Sequence, residues 1–304
     1  MISTIASQQG LLLRRQRVAL VGLATMLAVT AMAGVLGWSS HHTIVRVFDQ
    51  AVRLQAAAGQ PAPPNPFLLK PSLSLLSNMV VYIPLIGALL ALVVGHLTMA
   101  EDQSKGMGRL LFTRQVSRTE YALGKTVAAT RFLAVTLAGC ALVSVAAVLF
   151  VNRALSPSDL VRLAGFYGLS WAYLAVFALV GMLTALLTRR RSLALLSAIG
   201  FWLVVSFVVP QFTSGLRPTQ SLNPLTEPVG TSQAFFRVTQ HAQALSIVEQ
   251  YKTAAGTILG TSPTSPVVET VLTIVPIIAA ALVMIALVLW RIQHHDYARS
   301  ASDD

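Results

Sequence analysis

Charge and sulfur are scarce in this chain. Of its 304 residues only 11% are Asp, Glu, Lys or Arg, against about 25% in an ordinary soluble domain. The single cysteine, Cys140, excludes a disulfide framework or a thiolate metal site built within the chain. The six histidines are scattered, so no metal cluster is expected. The sequence has no HExxH pattern, no Ser/His/Asp constellation and no paired carboxylates inside an apolar run. No catalytic residue and no cofactor is therefore expected, and the chain is read as a non-enzyme. An ion-coupled carrier relies on acidic groups within its membrane segments. Their absence points to an energy source outside the chain.

What is abundant is apolar sequence, at 55%. Six stretches run 21 residues or more without Asp, Glu, Lys or Arg: Val18–Trp38, Pro71–Ala100, Phe132–Asn152, Leu163–Thr188, Ser192–Leu216 and Thr270–Trp290. A helix needs about 20 such residues to cross the hydrocarbon layer. The expected fold is an all-α polytopic membrane protein, one transmembrane domain over 1–304. Its spans are expected at about 18–38, 77–99, 128–151, 164–187, 193–211 and 269–290. Ala31-Met32-Ala33 has the look of a cleavage site, but the apolar run continues to Trp38, so span 1 is expected to be retained.

The net charge is +11, and its placement argues for topology rather than for nucleic acid. With the N-terminus inside, 14 of the 22 Lys and Arg residues fall on the inner side, including Arg14, Arg15, Arg17, the Lys105–Arg131 group and the Arg189–Arg191 run. Short loops rich in Lys and Arg stay cytoplasmic, so both termini are placed there. The outer loops are then 39–76, a short one near 153–162, and 212–268. Ile44, Val45, Phe48 and Val52 share one helical face, which predicts a helix over about 43–58 ending before Gly59. In the last loop, Thr231 or Ser232 caps a helix through Phe235 and Phe236. A second short helix holds Leu245, Val248 and Tyr251, and Gly256–Pro266 reads as a linker.

The most informative segment runs from Met99 to Lys125. Glu101 and Asp102 stand where span 2 ends, and Gly106 and Gly108 break the chain's helical course just beyond them. Met107, Leu110 and Leu111 form a short apolar patch among Lys105, Arg109 and Arg114. Gln115-Val116-Ser117 is a turn, with Ser117 or Thr119 available to cap span 3 and Glu120 in its first turn, where a carboxylate is favoured. On physics alone the segment is either a plain surface anchor or a set of apolar knobs offered to a soluble partner.

This segment resembles the cytoplasmic loop of ABC-2 type transporter permeases, in particular the six-span group that includes the nitrous-oxide-reductase maturation permease. The matching residues are Glu101, Gly106, Leu110, Leu111, Val116-Ser117-Arg118 and Leu123-Gly124-Lys125. Met107-Gly108 and Gln115 depart from the Thr-Leu and Pro usual there. The tail, Arg291 to Asp296, agrees more weakly. The resemblance implies the ABC-2, type V exporter-like transmembrane domain in a bacterial plasma membrane. It implies two membrane subunits, alike or different, and two copies of a cytoplasmic ABC ATPase, all in contact with membrane lipids. A coupling segment at 101–120 would dock on the ATPase. A surface helix over about 3–16, with Ile5, Leu11, Leu12 and Leu13, would lie at the membrane interface.

Gly124-Lys125-Thr126 looks like the end of a phosphate loop, but Thr119 stands where that pattern needs glycine. Lys125 is expected at the membrane border, near lipid phosphate or a partner. His96, near the end of span 2, is either a substrate or proton group or a headgroup contact. Pro84 and Pro276 are read equally as moving or static bends. Gly87, Gly95, Gly181 and Gly200 offer small surfaces or merely reflect membrane composition. Tyr82, Trp171, Tyr173 and Trp202 could face a partner chain or substrate, and Cys140 is read as a small apolar filler. The leading reading is an ATP-driven exporter's membrane subunit. Its rivals are a non-transport assembly or anchoring protein and a lipid-acting membrane enzyme.

Overall fold

The computed structural model describes residues 1–61, 72–104, 117–152, 154–188, 190–210, 246–261 and 267–294, with the side chains at 101–104 and 267–270 left out of the description. Every regular element among these residues is helical. Six helices are long and apolar enough to cross a membrane: Arg17–Ala57, Met79–Ala100, Arg118–Asn152, Pro157–Leu187, Arg191–Val208 and Val271–Gln293, numbered spans 1 to 6. The chain is thus an all-α polytopic membrane protein.

Spans 2 and 4 form the centre. In their most apolar stretches 61% and 78% of residues are buried, against 17% for spans 5 and 6. The outer spans turn Leu196, Phe201, Leu203, Leu282 and Val283 outward, which is stable only against lipid or another apolar surface. The central pair meets through glycine on both sides. A Cβ on Gly95 would overlap the Ala178 carbonyl oxygen, and one on Gly181 would overlap the Leu92 carbonyl oxygen. Backbone touches backbone there, the close approach that small residues permit between membrane helices. Gly87 is less tight, with its virtual Cβ 3.2 Å from Leu174, and Gly200 has no neighbour within 4 Å. The composition reading therefore holds at Gly200 and fails at Gly95 and Gly181.

Span 1 does not stop at Trp38. It is one helix of 41 residues, about 62 Å long at 1.5 Å per residue, twice the thickness of a hydrocarbon core. The expected separate helix at 43–58 is its continuation. Polar residues from Ser39 to Thr43 end an apolar run without ending a helix, because no Gly or Pro interrupts them and Thr43 Oγ1 donates to the Ser39 carbonyl at 3.0 Å. The break comes at Gly59, with φ +67°, where Gln60 N–H donates to the Gln55 carbonyl at 2.9 Å. Gly59 supplies the left-handed residue of this helix stop.

Pro84 sits in a π-helical turn, Ile83–Gly87. Proline has no N–H to donate, and the wider turn absorbs the missing bond without breaking span 2. The Pro84 carbonyl accepts from Trp202 Nε1 at 3.4 Å, just before a second π-turn at Val204–Val208 in span 5. Pro276 lies inside the continuous helix Val267–Gln293. Span 4 starts with a reciprocal cap: Ser156 Oγ accepts from Asp159 N–H at 3.1 Å, and Asp159 Oδ2 accepts from Ser156 N–H at 3.3 Å.

Candidate functional site: the basic end of the bundle

The N-terminal helix, Ile2–Arg15, and the end of the bundle that holds the Arg190–Arg191 turn belong together. The helix presents Ile5, Ala6, Gln9 and Leu13 at three- and four-residue spacing, and this stripe packs on the start of span 3. Of the three consecutive leucines only Leu13 is buried, while Leu11 and Leu12 are exposed. Part of the apolar side of this helix is thus turned onto protein, through Ile5, Ala6 and Leu13, while Leu11 and Leu12 stay outside that contact. Gly124 makes the approach close: a Cβ there would stand 2.7 Å from Ile5 Cγ2 and 3.3 Å from the Ile2 carbonyl oxygen.

Lys125 is the next residue, expected at the membrane border near lipid phosphate or a partner, and it is instead buried within its own chain. It is 3% exposed. Its ammonium donates to Gln9 Oε1 at 2.6 Å and to the Thr98 carbonyl at 3.0 Å, and it stands 5.5 Å from the centre of the Tyr121 ring. Burying an ammonium is costly unless polar partners meet it, and these contacts meet it from three helices: the N-terminal helix, span 2 and span 3 itself. Gly124 and Lys125 lie inside the span 3 helix, away from any loop-to-helix junction of the kind a phosphate loop uses.

Further links tie the ends of the other spans. Arg191, opening span 5, donates to the Ala100 carbonyl at 2.6 Å. Arg118, opening span 3, donates to the Gln293 carbonyl at the end of span 6. Arg118 meets a carbonyl at the C-terminus of the span 6 helix, where backbone acceptors are unsatisfied and positive charge is favoured, and Arg191 meets the Ala100 carbonyl one turn before the end of the span 2 helix. Ser117, rather than Thr119, caps span 3: its Oγ accepts from Glu120 N–H at 3.1 Å and donates to Glu120 Oε2 at 3.1 Å. Beneath these links, Met99, Tyr121, Ala122, Leu179, Met182, Leu186, Val288 and Ile292 form an apolar cluster joining spans 2, 3, 4 and 6.

Of the residues singled out from the sequence, Ser117, Arg118, Gly124 and Lys125 are thus brought to one end of the bundle. Glu101 lies on the last turn of the span 2 helix. Gly106, Leu110, Leu111 and Val116 lie outside the described residues. His96 is 5% exposed, and its Nδ1 has no hydrogen-bond partner among the described residues. Gln9 and Arg191 were missed as individual contacts. Gln9 carries no signal in the sequence, whereas the Arg189–Arg191 run was visible only as a topology marker.

The opposite end is built differently. A helix from the last loop, Ile247–Leu259, is embedded in the bundle, with Tyr251, Ala254, Ala255 and Leu259 fully buried. Tyr251 Oη pairs with Ser170 Oγ at 2.8 Å, at a point 13 residues into span 4 and about 20 Å along its axis. The Tyr251 and Tyr173 ring centroids are 4.5 Å apart. Nearby, Tyr167 Oη pairs with Ser144 Oγ at 2.6 Å. Tyr173 therefore faces its own chain rather than being left open to a partner. Trp171 is exposed, with its indole N–H donating to the Thr130 carbonyl at 2.9 Å. The expected short helix holds for Val248 and Tyr251. Its continuation through Gly256–Leu259 replaces the first part of the expected linker, and Leu245 and the 231–236 helix lie outside the described residues. Both ends of this helix are closed. Ser246 Oγ accepts from Glu249 N–H at 3.3 Å, and Gly260, with φ +71°, precedes a Thr261 N–H to Gly256 carbonyl bond at 2.9 Å. A helix dipping into an apolar layer needs such internal satisfaction of its polar ends.

No group of three or more His, Cys, Asp or Glu side chains able to hold a metal occurs among the described residues. At the basic end, hydrogen bonds join residues flanking the 105–116 segment to the start of span 5 and the end of span 6. Residues 1–297 match the family described as ABC-2 family transporter protein. No curated protein matches the chain. The match spans nearly the whole length and agrees with the six-span helical architecture, and the chain belongs to the ABC-2 family of transporter proteins.

Proposed function

We propose that this ABC transporter permease subunit is the membrane half of an exporter in a bacterial plasma membrane, driven by ATP hydrolysed on a separate cytoplasmic subunit. The 101–120 segment is its handle, with Glu101, Gly106, Leu110, Leu111, Val116, Ser117 and Arg118 forming or shaping the docking surface and Gly124 and Lys125 anchoring it. Both termini and this segment face the cytoplasm, two permease subunits pair, and two ATPase subunits dock beneath them.

One observation carries this reading: the helix ends around the roots of the segment are cross-linked. Ala100 is held by Arg191, and Arg118 holds Gln293. A push on the segment is therefore delivered to spans 2, 3, 5 and 6 together instead of being lost in one flexible loop. An inert surface anchor would have no need of these links.

The test begins at the neighbouring genes, where a cytoplasmic ABC ATPase is expected; that ATPase is co-expressed with this chain and the pair is purified in mild detergent. The ATPase is expected to co-purify in equal number with the permease. Leu110→Glu with Leu111→Glu is expected to abolish permease-stimulated ATP hydrolysis while membrane insertion persists. Undiminished stimulation by that double variant would remove 101–120 as the docking segment.

A further inference from the structure

The N-terminal helix is joined to span 1 through one non-helical residue, Gln16, with φ −77° and ψ 119°. Whatever displaces this helix pulls on span 1 almost directly. Ile5, Ala6 and Leu13 face the protein, so contacts within the chain fix this side of the helix. Apolar packing over Gly124 holds the helix to span 3, and a smaller contact reaches span 2, but packing alone is non-directional. The Lys125 ammonium supplies what packing lacks. It makes a directed bond to Gln9, itself 2% exposed, and another to the span 2 backbone at Thr98. Hydrogen bonds from a charged donor are among the stronger ones, and in a water-poor site they fix geometry.

We propose that Lys125 is a positioning residue that makes the N-terminal helix part of the moving unit. Through Gln9 and the Thr98 carbonyl it locks that helix to the ends of spans 2 and 3, so that displacement of the 101–120 segment reaches span 1. The proposal rests on the docking role of 101–120. It assigns Lys125 an internal duty, distinct from touching the ATPase.

The experiment uses the full chain purified with its ATPase in mild detergent, with Cys140→Ala as background. A reporter cysteine is introduced by Ala6→Cys, at a residue only 2% exposed, or by Ser7→Cys, at an exposed neighbour. Labelling by a water-soluble maleimide reads whether the helix is docked. Lys125→Met is expected to raise the labelling rate at position 6 about tenfold, in keeping with loss of a charge-assisted hydrogen bond, and to leave position 7 unchanged. The ATPase should stay bound, with its KM for ATP unaltered and its stimulation by the permease lost. Gln9→Leu, which leaves span 3 untouched, should do the same, and Gln9→Glu, which keeps an acceptor, should restore both protection and stimulation. Unchanged labelling at position 6 in both Lys125→Met and Gln9→Leu would overturn the proposal. So would loss of the ATPase from a Lys125→Met complex whose position 6 stays protected, because Lys125 would then be contacting the partner. Failure of the unsubstituted permease to retain the ATPase is a different result, and it would sink the docking reading itself.

Discussion

The two ends of the bundle hold their helices together by different means. At the basic end, spans 2 and 4 meet backbone to backbone at Gly95 and Gly181, and Lys125, Arg118 and Arg191 reach across to carbonyl oxygens of neighbouring helices. At the opposite end, an inserted helix sits among aromatic rings and is joined by single hydroxyl pairs, Tyr251 with Ser170 and, between spans 3 and 4, Tyr167 with Ser144. Backbone contacts and charged donors tolerate little displacement, because a small shift loses close packing or strands a buried polar group. Rings in contact can slide with smaller losses, since their attraction is spread over many weak contacts. The difference teaches that this molecule joins its helices by contacts that tolerate little displacement at the basic end and by looser ring packing at the other.

Four substitutions at three positions test that contrast. The largest effect is expected at the glycine contact. Gly95→Leu places a side chain into the Ala178 carbonyl and forces spans 2 and 4 apart, at a cost of about 3 kcal/mol or more. The expected outcome is loss of the monodisperse peak in detergent size-exclusion chromatography. A variant that runs normally would mean that the central pair is not rigid.

The next effect belongs to the inserted helix. Tyr251→Ala removes a fully buried ring and is expected to cost about 3–5 kcal/mol, whereas Tyr251→Phe removes only the hydroxyl and should cost about 1 kcal/mol. Thermal unfolding in detergent separates the two. Equal losses would assign the helix's hold to the Ser170 bond instead of to packing. The smallest effect is expected at the entrance to span 4, where Ser156→Ala deletes a helix cap worth about 1 kcal/mol. A drop of a few degrees in the melting midpoint with unchanged ATPase retention would place this cap outside the coupling machinery.

The spans were legible in the sequence because a bilayer imposes a length and a composition on every crossing. Helix ends inside the chain were less so. The polar stretch at Ser39–Thr43 marks where apolarity stops, and helicity continues to Ala57 because only Gly59 offers a stop. The helix around Tyr251 was foreseen in outline, but its burial was not, since Val248, Tyr251 and Leu259 would make the same pattern on a surface. At the candidate site, Ser117 was recognised as a capping residue from its spacing to Glu120, a local relation. Lys125 was singled out from the sequence, but its burial was not foreseen. A lysine at the edge of an apolar run ordinarily seeks headgroups, and nothing local announces that Gln9, more than a hundred positions earlier, will meet it.

By itself, then, the sequence determined the class of molecule: six crossings and a basic side. These properties come from how each stretch of chain must behave toward water and hydrocarbon, a matter settled residue by residue. Only the tertiary structure decided that Gly95 meets Ala178 and Gly181 meets Leu92, that Tyr251 is buried, and that Lys125 contacts three helices. Those outcomes depend on which helix face meets which, and a buried charge or a missing Cβ gains its meaning only from the neighbour that the fold brings to it.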